Sequence, residues 1–170
     1  MGGLIATMWA LRQPEGLAGL VISSAAYAVK IDANPIKLAL GRFFSKYLPA
    51  LTMGNELDPN MVSRDKDIVR KYIDDPLVHD RVSARWFTSF TGAIEEVNAR
   101  AGELKVPILI MQSGEDSLVD PEGAPKFHAK VGSQDNTLKI WEGFYHEMFN
   151  EPEKQEVYSY ALEWLDKHLG

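Results

Sequence analysis

VPILIMQSGEDSLVDPEG, residues 106–123, decides how this chain folds. Val106–Ser113 is an unbroken apolar run too short for an ordinary helix and rich in branched side chains, the pattern of a strand covered on both faces in a parallel sheet. It gives way to a Gly-Glu-Asp loop, and from Pro121 to about Lys130 the residues favour a helix. Strand, loop and helix in that order are the repeating unit of an α/β fold.

Working outward, TLKIWEG (Thr137–Gly143) is a further strand, and Glu153–Leu169 is a closing helix with Val157, Tyr160, Ala161, Trp164 and Leu165 on one face. On the other side, LAGLVISSA (Leu17–Ala25) repeats the buried-strand pattern. Gly2–Gln13, with Leu4, Ile5, Met8, Trp9 and Leu11 before Pro14, predicts a helix with a proline stop. The fold class is therefore α/β, a mostly parallel sheet with flanking helices.

The alternation is interrupted by a block of different texture, Tyr27–Phe90. There Ile36, Leu40, Phe43, Phe44, Tyr47, Leu48 and Leu51 recur every three to four residues, which predicts one amphipathic helix. Pro49, Gly54, Pro59 and Pro76 break up the rest of the block, around a shorter helix over Asp65–Ile73. The expected organisation is a core formed by residues 1–26 and 91–170, with residues 27–90 as a helical insertion.

Composition bounds the function. The 170 residues are 45% hydrophobic and 25% charged, with no apolar run of membrane-spanning length. A net charge of −6 without a lysine/arginine block argues against a nucleic-acid partner. There is no cysteine, which excludes disulfides, thiolate metal sites and cysteine nucleophiles. No metal and no cofactor is expected. The opening MGGLIATMWALRQPEG lacks the basic segment and cleavage site of a signal peptide, so a cytoplasmic location is expected.

Two side chains are placed for chemistry. Asp116 comes directly after the Val106–Ser113 strand, where open parallel sheets put their active sites, at the carboxyl ends of strands. It could equally be a loop acid capping the next helix, although Asp120 stands better for that. His146, in EGFYHEMFNEP, occupies the equivalent loop one strand later, whereas His79, His128 and His168 have no such setting. Adjacent parallel strands lie about 4.8 Å apart, so the two loops can bring Asp116 and His146 into hydrogen-bonding contact. The aspartate would then hold the imidazole in one tautomer while the other ring nitrogen takes a proton from a nucleophile. No G-x-S-x-G occurs in the sequence, and neither Ser113 nor Ser117 lies on a strand-to-helix elbow. M-G-G opening a helix is the wording that a nucleophile elbow would have just after its serine. The serine is then expected immediately before Met1, and the Met1 N–H in the oxyanion hole. Gly2 is expected to let this helix pack closely on the sheet. An ordinary Gly-Gly start would look the same.

MGGLIA, SRDKDIVRKYIDDPLV, QSGEDSLVDPEGA and SQDNTLKIWEGFYHEMFNEPE, in this order, resemble the serial motifs of monoacylglycerol lipases and related lysophospholipase-like hydrolases. The resemblance runs from Met1 to the C-terminus and implies the C-terminal portion of an α/β-hydrolase fold, with triad order Ser, Asp, His. It implies Asp116 and His146 as triad acid and base and Met1 as one oxyanion donor. The insertion becomes a cap over the active site, with Ile36, Leu40, Phe43, Phe44 and Tyr47 against an acyl chain; packing on the core would use the same stripe. Lys37, Arg42 and Lys46 beside it suit peripheral contact with a lipid interface.

The expected activity is serine ester hydrolysis of a small lipid ester, a monoacylglycerol or lysophospholipid. A peptidase, haloperoxidase or epoxide hydrolase on the same fold would keep the same aspartate and histidine, and a non-catalytic hydrolase-like binding module is a third reading. The missing partner is the N-terminal segment with the elbow serine and the second oxyanion donor. Without it the chain is expected to be catalytically silent, with Leu17–Ser23 as an unpaired strand edge.

Overall fold

The computed structural model describes residues 1–30, 35–55 and 57–169, and among these the side chains outside 35–38. In chain order they form α1 (Gly2–Arg12), β1 (Leu20–Ser23), α2 (Pro35–Tyr47), β2 (Thr52–Gly54), α3 (Lys66–Asp74), β3 (Arg81–Ser83), α4 (Ala84–Arg100), β4 (Ile108–Ser113), α5 (Gly123–His128), β5 (Asn136–Trp141) and α6 (Lys154–Leu169).

β4 is the centre of a three-stranded parallel sheet of order β1-β4-β5. Ile110 stands opposite Ile22 on one side and Leu138 on the other. Ile108, Leu109, Ile110 and Met111 are all 0% exposed, and their side chains alternate between the two faces. Ile108 and Ile110 join Leu4, Ile22, Tyr27, Val97 and Phe127 in one apolar layer. Leu109 and Met111 join Trp141, Phe144, Met148, Val157 and Trp164 in the other. Burying each of these strand side chains stabilises the fold by roughly 1.5–3 kcal/mol. The unbroken apolar run of β4 thus has a double cause, one layer of helices on each face. β1 differs: apart from Ile22 it is only half-buried, because among the described residues β4 alone pairs with it.

α1 crosses β1 at close range, and the residue that permits it is Gly3. A Cβ there would meet the Ala25 Cβ at 2.9 Å and Ile22 Cγ2 at 3.1 Å, whereas one on Gly2 would meet nothing within 4 Å. The close approach expected at Gly2 is therefore one residue further on, since Gly2 lies on the outer side of the first turn.

In the inserted block, α2 packs on α4 through small residues. Gly41 faces Phe87, and the Ser45 and Thr88 hydroxyls bond at 2.6 Å. α2 ends at Tyr47, two residues before Pro49. α3 is capped by the Asp65 carboxylate, which accepts from the Asp67 N–H. β2 and β3 form a short antiparallel pair unforeseen in the sequence. α4, capped by Ser83, runs without a break across the expected boundary at 90/91. Its first half meets α2; its second half, through Ile94 and Val97, packs into the sheet's apolar layer.

Candidate active site

β4 ends at Ser113, and the sheet is continued past its edge by two backbone bonds between loops. The Gly114 N–H donates to Trp141 O at 2.8 Å, and the Glu115 N–H to Phe144 O at 3.1 Å. The loop after β5 turns at Gly143, whose φ of +76° is a left-handed conformation that a side chain would strain. The zipped loops carry Asp116 and His146 to each other: His146 Nδ1 lies 2.8 Å from Asp116 Oδ2, inside the expected hydrogen-bonding range.

Asp116 is 3% exposed and fully provided with donors. Its Oδ1 accepts from the Leu118 N–H at 2.9 Å and the Val119 N–H at 3.0 Å. Its Oδ2 accepts from His146 and, at 3.3 Å, from Gln112 Nε2. Asp116 therefore does not cap the next helix, which starts at Gly123: one oxygen braces its own loop at Leu118 and Val119, and the other faces His146. Asp120 serves the next turn, accepting from the Glu122 N–H at 3.1 Å. An ionised carboxylate only accepts, so the His146 Nδ1 must carry the proton it donates. In the neutral ring Nε2 then has a free lone pair, the form of histidine able to take a proton from a hydroxyl.

Met1 is the N-cap of α1, its carbonyl accepting from the Leu4 and Ile5 N–H groups at 3.0 and 3.2 Å. Burial lowers the pKa of its amine, against an opposing contribution from the Asp116 charge. The cap residues are placed differently. Leu40, Phe43 and Tyr47 are exposed on α2, Phe44 is half-buried, and the Ile36 side chain lies outside the described residues. Among the described residues, no three of His, Asp and Glu converge as metal ligands. Gln112 escaped the sequence reading, although an amide at the end of Ile-Leu-Ile-Met was its signal: a polar side chain in a doubly buried strand needs a polar partner.

Residues 1–153 match the family described as serine aminopeptidase, S33. The chain is 32% identical over 171 residues to phospholipase YtpA of Bacillus subtilis, covering 99% of this chain and 66% of the relative. It is 34% identical over 153 residues to the human monoglyceride lipase, covering 89% of this chain and 50% of that protein. The crystal structure of the Paleococcus ferrophilus monoacylglycerol lipase superposes with a TM-score of 0.91 at 34% identity, over 98% of this chain and 65% of that one. The chain thus spans between half and two thirds of the length of these relatives. With a parallel sheet flanked by helices and a matching stretch that takes in both Asp116 and His146, the chain belongs to the serine aminopeptidase S33 family of α/β-hydrolases.

Proposed function

We propose that the full-length protein is a serine ester hydrolase of monoacylglycerols or lysophospholipid-type esters, with His146 as general base and Asp116 as the acid that orients it. The observation that carries this reading is the 2.8 Å contact between a buried, donor-saturated carboxylate and the Nδ1 of a ring that is 21% exposed. In this reading the nucleophilic serine directly precedes Met1 in the longer protein, so that the Met1 N–H becomes a peptide donor in the oxyanion hole. The serine hydroxyl adds to the ester carbonyl carbon as His146 Nε2 takes its proton. The tetrahedral intermediate collapses by breaking the bond to the alcohol oxygen, which leaves with that proton. Water, activated by the same nitrogen, then hydrolyses the acyl-enzyme.

The substrate class rests on these relatives and on the inserted block. Residues 27–90 would cap the site, with the apolar residues of α2 available to an acyl chain and Lys37, Arg42 and Lys46 to an anionic lipid surface. Among the described residues no helix is long and apolar enough to cross a membrane.

The family description names an aminopeptidase, and peptide cleavage would use the same dyad. Assays of the full-length protein on p-nitrophenyl butyrate, a monoacylglycerol and an aminoacyl p-nitroanilide separate the two. Ester turnover well above anilide turnover is the expected result; cleavage of the anilide alone would overturn the ester reading.

A further inference from the structure

The stretch SRDKDIVRKYIDDPLV and the final FNEP meet in space, and where they meet a carboxylate is wholly buried. Glu151 is 0% exposed. Its Oε1 accepts from the Arg64 N–H at 2.9 Å and the Tyr145 N–H at 3.3 Å, and its Oε2 from Arg64 Nε. Arg64 also pairs through Nη2 with Glu153 and lies over the Phe144 ring at 5.1 Å. Three more bonds join the same segments: Ser63 Oγ donates to Asn150 O at 2.9 Å, the Glu147 N–H to Val62 O at 2.8 Å, and the His146 N–H to Met61 O at 3.5 Å. Both backbone neighbours of the His146 ring, at Tyr145 and Glu147, are therefore fixed by groups that belong to, or are held by, residues 61–64 of the insertion.

We propose that Glu151 is a positioning residue for His146, and that Arg64 holds it there, so that docking of the insertion sets the aim of the imidazole. The loop from Gly143 to Asn150 has only one short 3₁₀ turn of its own, Met148–Asn150, and the dyad bond constrains the ring at a single nitrogen. A ring held only by that bond can pivot about it. The Glu151 carboxylate removes the pivot by gripping the backbone one residue before the ring, and Arg64 balances its charge, without which a buried carboxylate is not tolerated. A misplacement of about 1 Å in a catalytic group lowers turnover by about 10²-fold.

This inference rests on the ester-hydrolase reading for its activity arm, but not for its structural arm. Glu151→Gln in the full-length protein keeps the shape of the side chain. It places an amide NH₂ against either Arg64 Nε or the two backbone N–H groups, donor facing donor in both orientations. On p-nitrophenyl butyrate, well below its own melting midpoint, this variant should lose about 10²-fold in kcat with KM unchanged. Arg64→Lys, which keeps charge but not the fork, should lose less, and Arg64→Met as much as Glu151→Gln. The downfield proton resonance of His146 Nδ1–H should broaden or vanish in Glu151→Gln and return in part in Arg64→Lys. A lowered melting midpoint with wild-type kcat and an intact resonance would reduce Glu151 to a purely structural role and overturn the proposal. If the wild-type protein cleaves no ester, the ester reading fails, and the Nδ1–H resonance of the variants still decides the positioning role.

Discussion

β4 and α2 each carry an apolar pattern plain in the sequence, and they end in opposite surroundings. Ile108, Leu109, Ile110 and Met111 are 0% exposed between two helical layers, whereas Leu40, Phe43, Tyr47 and Leu48 are 48%, 52%, 59% and 52% exposed. An apolar stripe specifies a face that avoids water without specifying what covers it. For β4 the cover is written in the same chain, by α1, α4, α5 and α6. For α2, cover among the described residues comes on the side of Gly41 and Ser45, where small residues admit α4.

The sharpest way to set core against cap is through the chemistry. In the full-length protein His146→Ala should lower kcat on p-nitrophenyl butyrate by about 10⁴–10⁶-fold, the loss expected on removal of a triad base. Phe43→Ala should leave turnover of this short, soluble ester near wild type and weaken only long-chain monoacylglycerol, chiefly in KM. Steady-state kinetics on both substrates checks the pair. Residual ester activity in His146→Ala within tenfold of wild type would place the base elsewhere.

Stability gives the next contrast. Ile110→Ala leaves a cavity between α1, α4 and α5 and should cost about 2–5 kcal/mol, while Phe43→Ala should stay within about 0.5 kcal/mol. Urea unfolding of both variants measures the difference. A Phe43→Ala cost comparable with that of Ile110→Ala would mean that the α2 stripe is covered in the full-length protein. Gly3→Ala sits between them. Its Cβ would press on Ala25 and Ile22, both rigid, so a loss of about 1–3 kcal/mol is expected. Gly2→Ala, with open space around it, is the internal control.

Legibility in the sequence divides along the same line. The sheet strands, α1 and α6 stand within a few residues of their expected positions, because doubly buried strands and long amphipathic faces have sequence periods that few other structures share. The Asp116–His146 contact was legible for a topological reason: parallel strands deliver their loops to one edge, so two isolated residues become neighbours. α4 was overlooked although Trp86, Phe90, Ile94 and Val97 recur at helical spacing behind a Ser83 cap. Its threonines and Gly92 depress helix propensity, and tertiary packing against α2 and the sheet overrides that. The β2–β3 pair, at three residues a strand, is too short to carry a period. The Arg64–Glu151 contact could not be read at all, since charged residues 87 positions apart announce no partner.

The smallest effect expected is one of pH, and it lies in the core. His168, in the last turn of α6, faces an acceptor at each nitrogen. Nδ1 lies 2.6 Å from Trp164 O and Nε2 2.9 Å from Asp135 Oδ2, and neither partner can donate. Only imidazolium satisfies both, and its ring stacks on Trp164 at a helix C-terminus, where a cation is favoured. The Trp164 carbonyl first, then Asp135, raise the His168 pKa above its ordinary value, against an opposing contribution from burial. A group whose folded pKa is raised stabilises the native state fully below its unfolded value of about 6.5, and that contribution fades as pH climbs through the folded pKa. The difference in melting midpoint between wild type and His168→Gln should therefore be largest near about pH 5.5 and shrink toward about pH 9. Subtracting the variant from wild type cancels the titration of every other group. A His168 difference that stays flat across the range would show that α6 is held to the loop between α5 and β5 by a neutral ring.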